Sequence, residues 1–260
     1  MTGVPIDDRG LLLGDGLFET VLFKAGRAVL WEQHLARLAR GCAALGLPAP
    51  DADGLTAAAR CAVEAVGLDG ARAAVRLTWT AGSGGRGLER PSALEPRLIA
   101  SAAPSARPLA PIRVLISGVR RNAGSPLSRL KTLSYLDNVL ARREALSGGA
   151  DEALMLNSQG QLACAAASNL FWIAEDRLYT PALSCGVLDG IMRGETIAAA
   201  RRLGAEVLEV EAEATALDGA QALFLTNSLI GLRRIAERDG AACGDHPLVE
   251  RLEQALDAFV

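Results

Sequence analysis

Lysine is almost missing from this chain. Of its 27 basic residues only Lys24 and Lys131 are lysines, so nearly every positive charge sits on a guanidinium. A guanidinium cannot form an imine, whereas a desolvated lysine amine of lowered pKa can bond an aldehyde and later carry protons. Either lysine is thus a candidate for work that needs a primary amine, and the plain alternative is a solvated surface lysine. Histidine is as scarce, with His34 and His246 the whole complement, which leaves little for a histidine-centred mechanism or a metal. The five cysteines, Cys42, Cys61, Cys164, Cys185 and Cys243, are odd in number and widely spaced. That pattern argues against a disulfide framework and against zinc. No apolar run approaches the length of a bilayer span, and a net charge of −3 offers no basic surface to nucleic acid. Met1 to Asp8 carries two aspartates and no basic, apolar leader, so the cytoplasm is the expected compartment.

What is present is apolar content. Half of the 260 residues are hydrophobic, enough for a sizeable core and for two domains of ordinary size. The segment 103–111 has three prolines in its last eight residues and little to pack, which sets a boundary between 1–106 and 107–260. Before it, glycines punctuate Asp8-Arg9-Gly10-Leu11-Leu12-Leu13-Gly14-Asp15-Gly16-Leu17-Phe18-Glu19-Thr20, and Val21 to Phe23 reads as a strand turning at Ala25-Gly26-Arg27. Trp31, Leu35, Leu38, Cys42 and Leu45 recur at helical spacing, ended by Gly46 and Pro48. Arg37 lies off that stripe, either an ordinary surface arginine or one turned toward an anion. A helix over 56–66 and strands over 73–80 and 97–102 flank the glycine-rich loop Gly82-Ser83-Gly84-Gly85-Arg86-Gly87. That loop lacks the lysine and hydroxyl of a P-loop and reads as a hairpin tip; Arg76 and Arg86 beside it suit a carboxylate.

After the boundary, 112–116 is a strand and Lys131 stands where a turn meets a helix whose buried face is expected at Leu133, Leu136 and Leu140. Hairpins follow at 152–163 and 169–180. Leu188-Asp189-Gly190-Ile191-Met192-Arg193 opens a helix to about Leu203, where free amides suit a phosphate. Strands at 205–210 and 222–226 and a helix through Leu248, Leu252, Ala255 and Phe259 close the chain.

In this order, Asp-Arg-Gly with Gly-Asp-Gly-Leu-Phe-Glu-Thr, His34-Leu35-Ala36-Arg37-Leu38, a lysine and Gly190-Ile191-Met192-Arg193 resemble the class IV aminotransferase family of pyridoxal-phosphate enzymes. The resemblance covers nearly the whole chain, and the glycine-rich loop with Gly-Ile-Met-Arg is most like 4-amino-4-deoxychorismate lyase. It implies a two-domain α/β (α+β) fold of fold-type IV, a small N-terminal α/β domain and a larger C-terminal pseudo-barrel that binds pyridoxal 5'-phosphate. It further implies a homodimer with its sites between the domains and a small-molecule substrate, while composition argues for the cytoplasm and against a nucleic-acid or membrane partner. Carried over by position, Lys131 is the Schiff-base lysine and proton shuttle. Arg37, the amides of Ile191 and Met192, Asn227 and the Ser228 hydroxyl hold the phosphate, and Leu188 packs on the pyridine ring. Arg76 and Arg86 are the substrate-carboxylate candidates.

Three departures from the family pattern bear on function. Relatives usually carry a further strand before Asp-Arg-Gly. Ala81 stands where an arginine often precedes the glycine loop. Cys164, five residues before Asn169, occupies the place of a glutamate that pairs with the pyridine nitrogen. A thiol is a weak hydrogen-bonding group and leaves the pyridine neutral, which favours elimination over transamination. The resemblance therefore implies a lyase converting 4-amino-4-deoxychorismate to 4-aminobenzoate and pyruvate. An aminotransferase for D- or branched-chain amino acids and a non-catalytic cofactor-binding relative are the alternatives.

Overall fold

The computed structural model describes residues 3–260, and of the Met1 to Asp8 segment Met1 and Thr2 lie outside the described residues. In chain order the elements are α1 (Arg9–Leu13), β1 (Gly16–Lys24), β2 (Arg27–Ala28), α2 (Trp31–Leu45), α3 (Ala52–Glu64), β3 (Ala73–Thr80), β4 (Arg97–Pro104), β5 (Ile112–Arg121) and α4 (Leu136–Ser147). Next come β6 (Glu152–Asn157), β7 (Leu162–Ala165), β8 (Asn169–Ala174), β9 (Arg177–Pro181), α5 (Ile191–Arg202), β10 (Val207–Val210), β11 (Ala222–Asn227), β12 (Gly231–Arg238), β13 (Ala241–Ala242) and α6 (Pro247–Leu256). The class is mixed α/β. Two compact units divide the chain, one running through Ala106 and including Leu130–Ser134, the other made of Arg107–Arg129 and Tyr135–Val260.

In the first unit the strands run β2-β1-β3-β4, each pairing antiparallel. Alternation along β1 sends Leu17, Val21 and Phe23 into a core with Leu38 and Cys42 of α2, Leu55, Ala59 and Val63 of α3, and Val75 and Leu77 of β3. Helix α3 starts at Ala52, earlier than the apolar period indicates, because the Asp51 carboxylate accepts the Gly54 amide at 2.7 Å and caps it. Residues 130–134, which composition assigns to the second domain, belong to this unit instead. Phe18 N–H donates to the Lys131 carbonyl at 2.9 Å, Leu133 N–H to the Gly16 carbonyl at 3.0 Å, and Leu17 bridges Thr132. Such a bridge is too short to leave a period in the sequence.

The second unit is built on a nine-stranded mixed sheet ordered β10-β9-β8-β11-β12-β5-β6-β7, with β13 beside β12. Its inner strands are buried on both faces, so β6 divides Leu154 and Leu156 from Ala153 and Met155 into separate clusters. Helix α4 lies on β5 and β6, and here the expected face is wrong. Leu136 is 68% exposed and Leu140 38% exposed, while Ala141 and Ala145 are fully buried with Asn138. Small side chains let the helix backbone close on the sheet, where leucines would hold it away. Among the described residues no helix is long and apolar enough to cross a membrane.

Candidate functional site

Lys131 is held from the backbone outward. With its carbonyl fixed to β1, its Nζ lies 4.3 Å from the centroid of the Phe18 ring, and the Arg76 guanidinium carbon lies 3.8 Å from the same centroid. Burial, then the neighbouring Arg37, and also Arg76 push the amine down to about 8, against the opposing pull of Glu19. An amine in this range is roughly one-tenth free base at pH 7, far more than an ordinary lysine, as a nucleophile or proton carrier requires. Lys24, by contrast, is exposed.

Under the lysine is a buried ionic group that sequence reading missed. Glu19 is 1% exposed on β1; its Oε1 accepts Arg37 Nε at 2.8 Å and its Oε2 accepts Arg37 Nη2 at 2.6 Å. His34 Nδ1 lies 2.7 Å from Oε2. Burial acts to raise the Glu19 carboxyl, but the two-pronged arginine and His34 outweigh it and hold it at about 2. Burial lowers His34 below its ordinary value against the pull of Glu19, so it is a neutral ring donating Nδ1–H, and its buried Nε2 has no hydrogen-bond partner. The signal was a single carboxylate inside the apolar run 17–23.

The Asp-Arg-Gly motif is structural. Arg9, 5% exposed, donates Nε to Asp15 at 2.9 Å, Nη1 to the Glu89 carbonyl at 3.0 Å and Nη2 to the Leu88 carbonyl at 3.1 Å. Arg90 grips the same Asp15 through Nε at 3.0 Å and Nη2 at 2.5 Å. The glycine-rich loop between β3 and β4 is thereby pinned. At Gly82, with φ of +79°, a Cβ would stand 1.9 Å from the Glu95 carbonyl oxygen, so no other residue fits. Arg86 sits exposed on this loop, bridging Glu89 through the backbone.

In the second unit α5 begins at an N-cap, Gly190, that offers no side-chain acceptor to the first amides. Those of Ile191 and Met192 lie in the first turn, where amides have no partner within the helix. A Cβ on Gly190 would lie 2.0 Å from Asn169 Oδ1, and Asn169 Nδ2 donates to the Leu188 carbonyl at 3.0 Å. Leu188 and Ile191 are half-buried and Met192 is buried. Arg193 is structural, donating Nη2 to Glu209 at 2.6 Å and to the Pro181 carbonyl at 3.1 Å. Asn227 spends its side chain on the turn: Nδ2 donates to Ser168 Oγ at 3.1 Å and to the Ala167 carbonyl at 3.2 Å, and Oδ1 accepts the amides of Leu229 and Ile230. Ser228 follows, half-buried, and the buried Thr226 Oγ1 just before it has no partner.

Cys164 is 7% exposed on β7 opposite Met155. Burial pushes its thiol up, with nearby Arg121 pulling down and Glu152 adding to the rise, so it is a neutral SH group. Arg121 was not anticipated. It is buried and donates to three neutral oxygens: Ser128 O at 2.6 Å, Gly186 O at 3.2 Å from Nη2, and Asn138 Oδ1 at 3.2 Å. Asn138 passes the chain on, donating Nδ2 to the Ala166 carbonyl at 2.8 Å. Among the described residues no cluster of three or more His, Cys, Asp or Glu side chains is gathered as a metal site.

A fold with one desolvated lysine in its small sheet unit, and an uncapped helix start with a turn hydroxyl in its large one, defines a class. The family model for amino-transferase class IV matches residues 16–237, and the chain belongs to that family. It is 30% identical over 98% of its length to a Methanocaldococcus jannaschii protein named "Putative branched-chain-amino-acid aminotransferase", 90% of which is covered. It is also 30% identical to the aminodeoxychorismate lyase of Bacillus subtilis, over 86% of this chain and 77% of that one. Among solved structures it is similar to 4-amino-4-deoxychorismate lyase from Pseudomonas aeruginosa, with a TM-score of 0.86, 31% identity and coverage of 99% and 96% of the two chains. These likenesses establish the fold-type IV architecture.

Proposed function

We propose that this protein is a pyridoxal-phosphate-dependent lyase that converts 4-amino-4-deoxychorismate to 4-aminobenzoate and pyruvate. The observation that carries the reading is Lys131, a half-buried residue whose amine is brought to about 8 by desolvation and neighbouring arginines. Each unit carries groups of the kind the cofactor needs. Lys131 is its covalent anchor; the amides of Ile191 and Met192, the Ser228 hydroxyl and Arg37 suit its phosphate, and Asn227 shapes the turn that carries Ser228. Leu188 offers an apolar contact to its ring, and Cys164 a neutral group to its nitrogen.

When bound, pyridoxal phosphate supplies an electron sink for the charge left as a C–H bond beside the substrate nitrogen breaks. Lys131 takes that proton from the ring carbon bearing the amine. The C–O bond to the enolpyruvyl group then breaks, the ring becomes aromatic, and the proton is available to the departing enolpyruvate, which becomes pyruvate. Arg76, stacked on Phe18 beside the amine, is read as the partner of a substrate carboxylate, and Arg86 as a second one carried on the pinned loop.

The M. jannaschii relative's name favours a second reading, an aminotransferase for D- or branched-chain amino acids. Cys164 weighs against it, because a neutral thiol gives the ring nitrogen no carboxylate. Steady-state assays with aminodeoxychorismate and with a panel of L- and D-amino acids separate the two. The lyase reading expects 4-aminobenzoate and pyruvate in equal amounts; fast amino transfer without them would sink it. A homodimer and a cytoplasmic location belong to the same proposal; the exposed Leu11, Leu12, Leu136 and Val139 support the first of these.

A further inference from the structure

Glu19 has no part in the roles proposed above, yet it is among the most firmly held groups in the first unit. Its two oxygens take both prongs of Arg37, at 2.8 and 2.6 Å, and His34 Nδ1 at 2.7 Å. The residue before it, Phe18, holds Lys131 twice, through the amide-to-carbonyl bond of 2.9 Å and through the ring 4.3 Å from Nζ. Consecutive residues of β1 thus fix an arginine and a lysine. The charged groups that act on Lys131 are Arg37 from α2, Arg76 from β3 and Glu19 from β1, with neutral His34 beside them on α2. The carboxylate is buried, Arg37 and Lys131 are half-buried beside it, and Arg76 reaches the group from an exposed position. Like charges in a poorly solvated setting repel strongly unless an anion lies among them.

We propose that Glu19 is a positioning residue of the site: its buried carboxylate clamps Arg37 beside Lys131 and supplies the negative charge that lets the two stand together. His34 closes the second carboxylate oxygen and keeps the clamp in one rotamer. The inference rests on the reading of Lys131 as the cofactor lysine. It has a consequence that a merely structural carboxylate would not: neutralising Glu19 and neutralising Arg37 must move the lysine in opposite directions. Loss of the anion makes the amine less basic, and loss of the cation makes it more basic.

The test is competitive acetylation of the purified protein with trace acetic anhydride from about pH 6 to 11, read by mass spectrometry. Exposed Lys24 is the internal reference, since the chain has only these two lysines. The wild-type Lys131 profile should have its midpoint near 8. Glu19→Gln should lower the midpoint and Arg37→Gln raise it, each by on the order of one pH unit, and the double variant should return toward wild type. Midpoints that stay put, or move the same way in both single variants, overturn the inference. Should Glu19→Gln fail to fold, a double variant whose midpoint equals that of Arg37→Gln alone overturns it equally. Pyridoxal phosphate with borohydride probes the underlying reading separately. If wild-type Lys131 takes no pyridoxyl label while the opposite shifts persist, the cofactor reading fails and the charge placement stands. If Lys131 is labelled without those shifts, the inference alone fails.

Discussion

At the scale of single residues the site is an exercise in placing charge where water is scarce. Lys131 loses basicity to burial and to Arg37 and Arg76, and Glu19 limits the loss. Cys164 is buried, and burial keeps its thiol neutral. Replacing it with glutamate puts a carboxylate next to Arg121, whose positive charge already acts on that position. Under the lyase reading, Cys164→Glu should raise the ratio of amino transfer to elimination by about tenfold, or ~1.4 kcal/mol of relative barrier, measured as the partition of products on aminodeoxychorismate with a keto-acid acceptor. An unchanged ratio would remove Cys164 from the account. Gly190→Ala drives a methyl to within 2.0 Å of Asn169 Oδ1, so the α5 start must shift. We expect about tenfold weaker binding of pyridoxal phosphate, checked by fluorescence titration. The scarcity of lysine draws attention to Lys24 and Lys131 alike, and only the resemblance of the surrounding motifs singles out Lys131. Glu19 and Arg121 were not legible, since a lone carboxylate in a strand and one arginine among 25 look alike on the page until their partners are known.

At the scale of elements, periodicity located most strands and helices, because alternation and the 3.6-residue repeat reflect which face is covered. Strand β3 has the bounds its sequence indicates, and α2 ends at its glycine. It fails for α4, where the leucines face out and alanine does the packing. Residues 141 and 145 are flush with the sheet, so Ala145→Leu should destabilise the protein by about 1–3 kcal/mol through overpacking, seen in the urea midpoint. A stability unchanged within error would mean the helix is not seated as described. Asn138 links Arg121 to the Ala166 carbonyl. Asn138→Leu leaves both without that partner and should cost roughly 1–3 kcal/mol in the same measurement.

For the whole molecule, the two units fold around separate cores, and the segment bearing Lys131 interrupts the sequence of the second but belongs to the first. Proline content pointed to a boundary near 106; it carries no sign of the return of 130–134, because two backbone bonds and a bridge leave no composition signal. Acid should strike the Glu19 cluster. Its carboxyl is held at about 2 against an ordinary 4.5, so its stabilisation is complete above pH 4.5 and is lost as the pH falls through 2. That contribution is roughly 3 kcal/mol, and Glu19→Gln should show a correspondingly flatter dependence of its urea midpoint on pH over that window. Equal slopes would contradict the assignment. The most direct measurement for the account as a whole is borohydride reduction of the pyridoxal-phosphate-loaded protein followed by peptide mapping. The account predicts a yellow protein, one pyridoxyl group per chain, and that group on Lys131, with colour and label both absent from Lys131→Ala. A colourless protein, or a label found on Lys24, would contradict it.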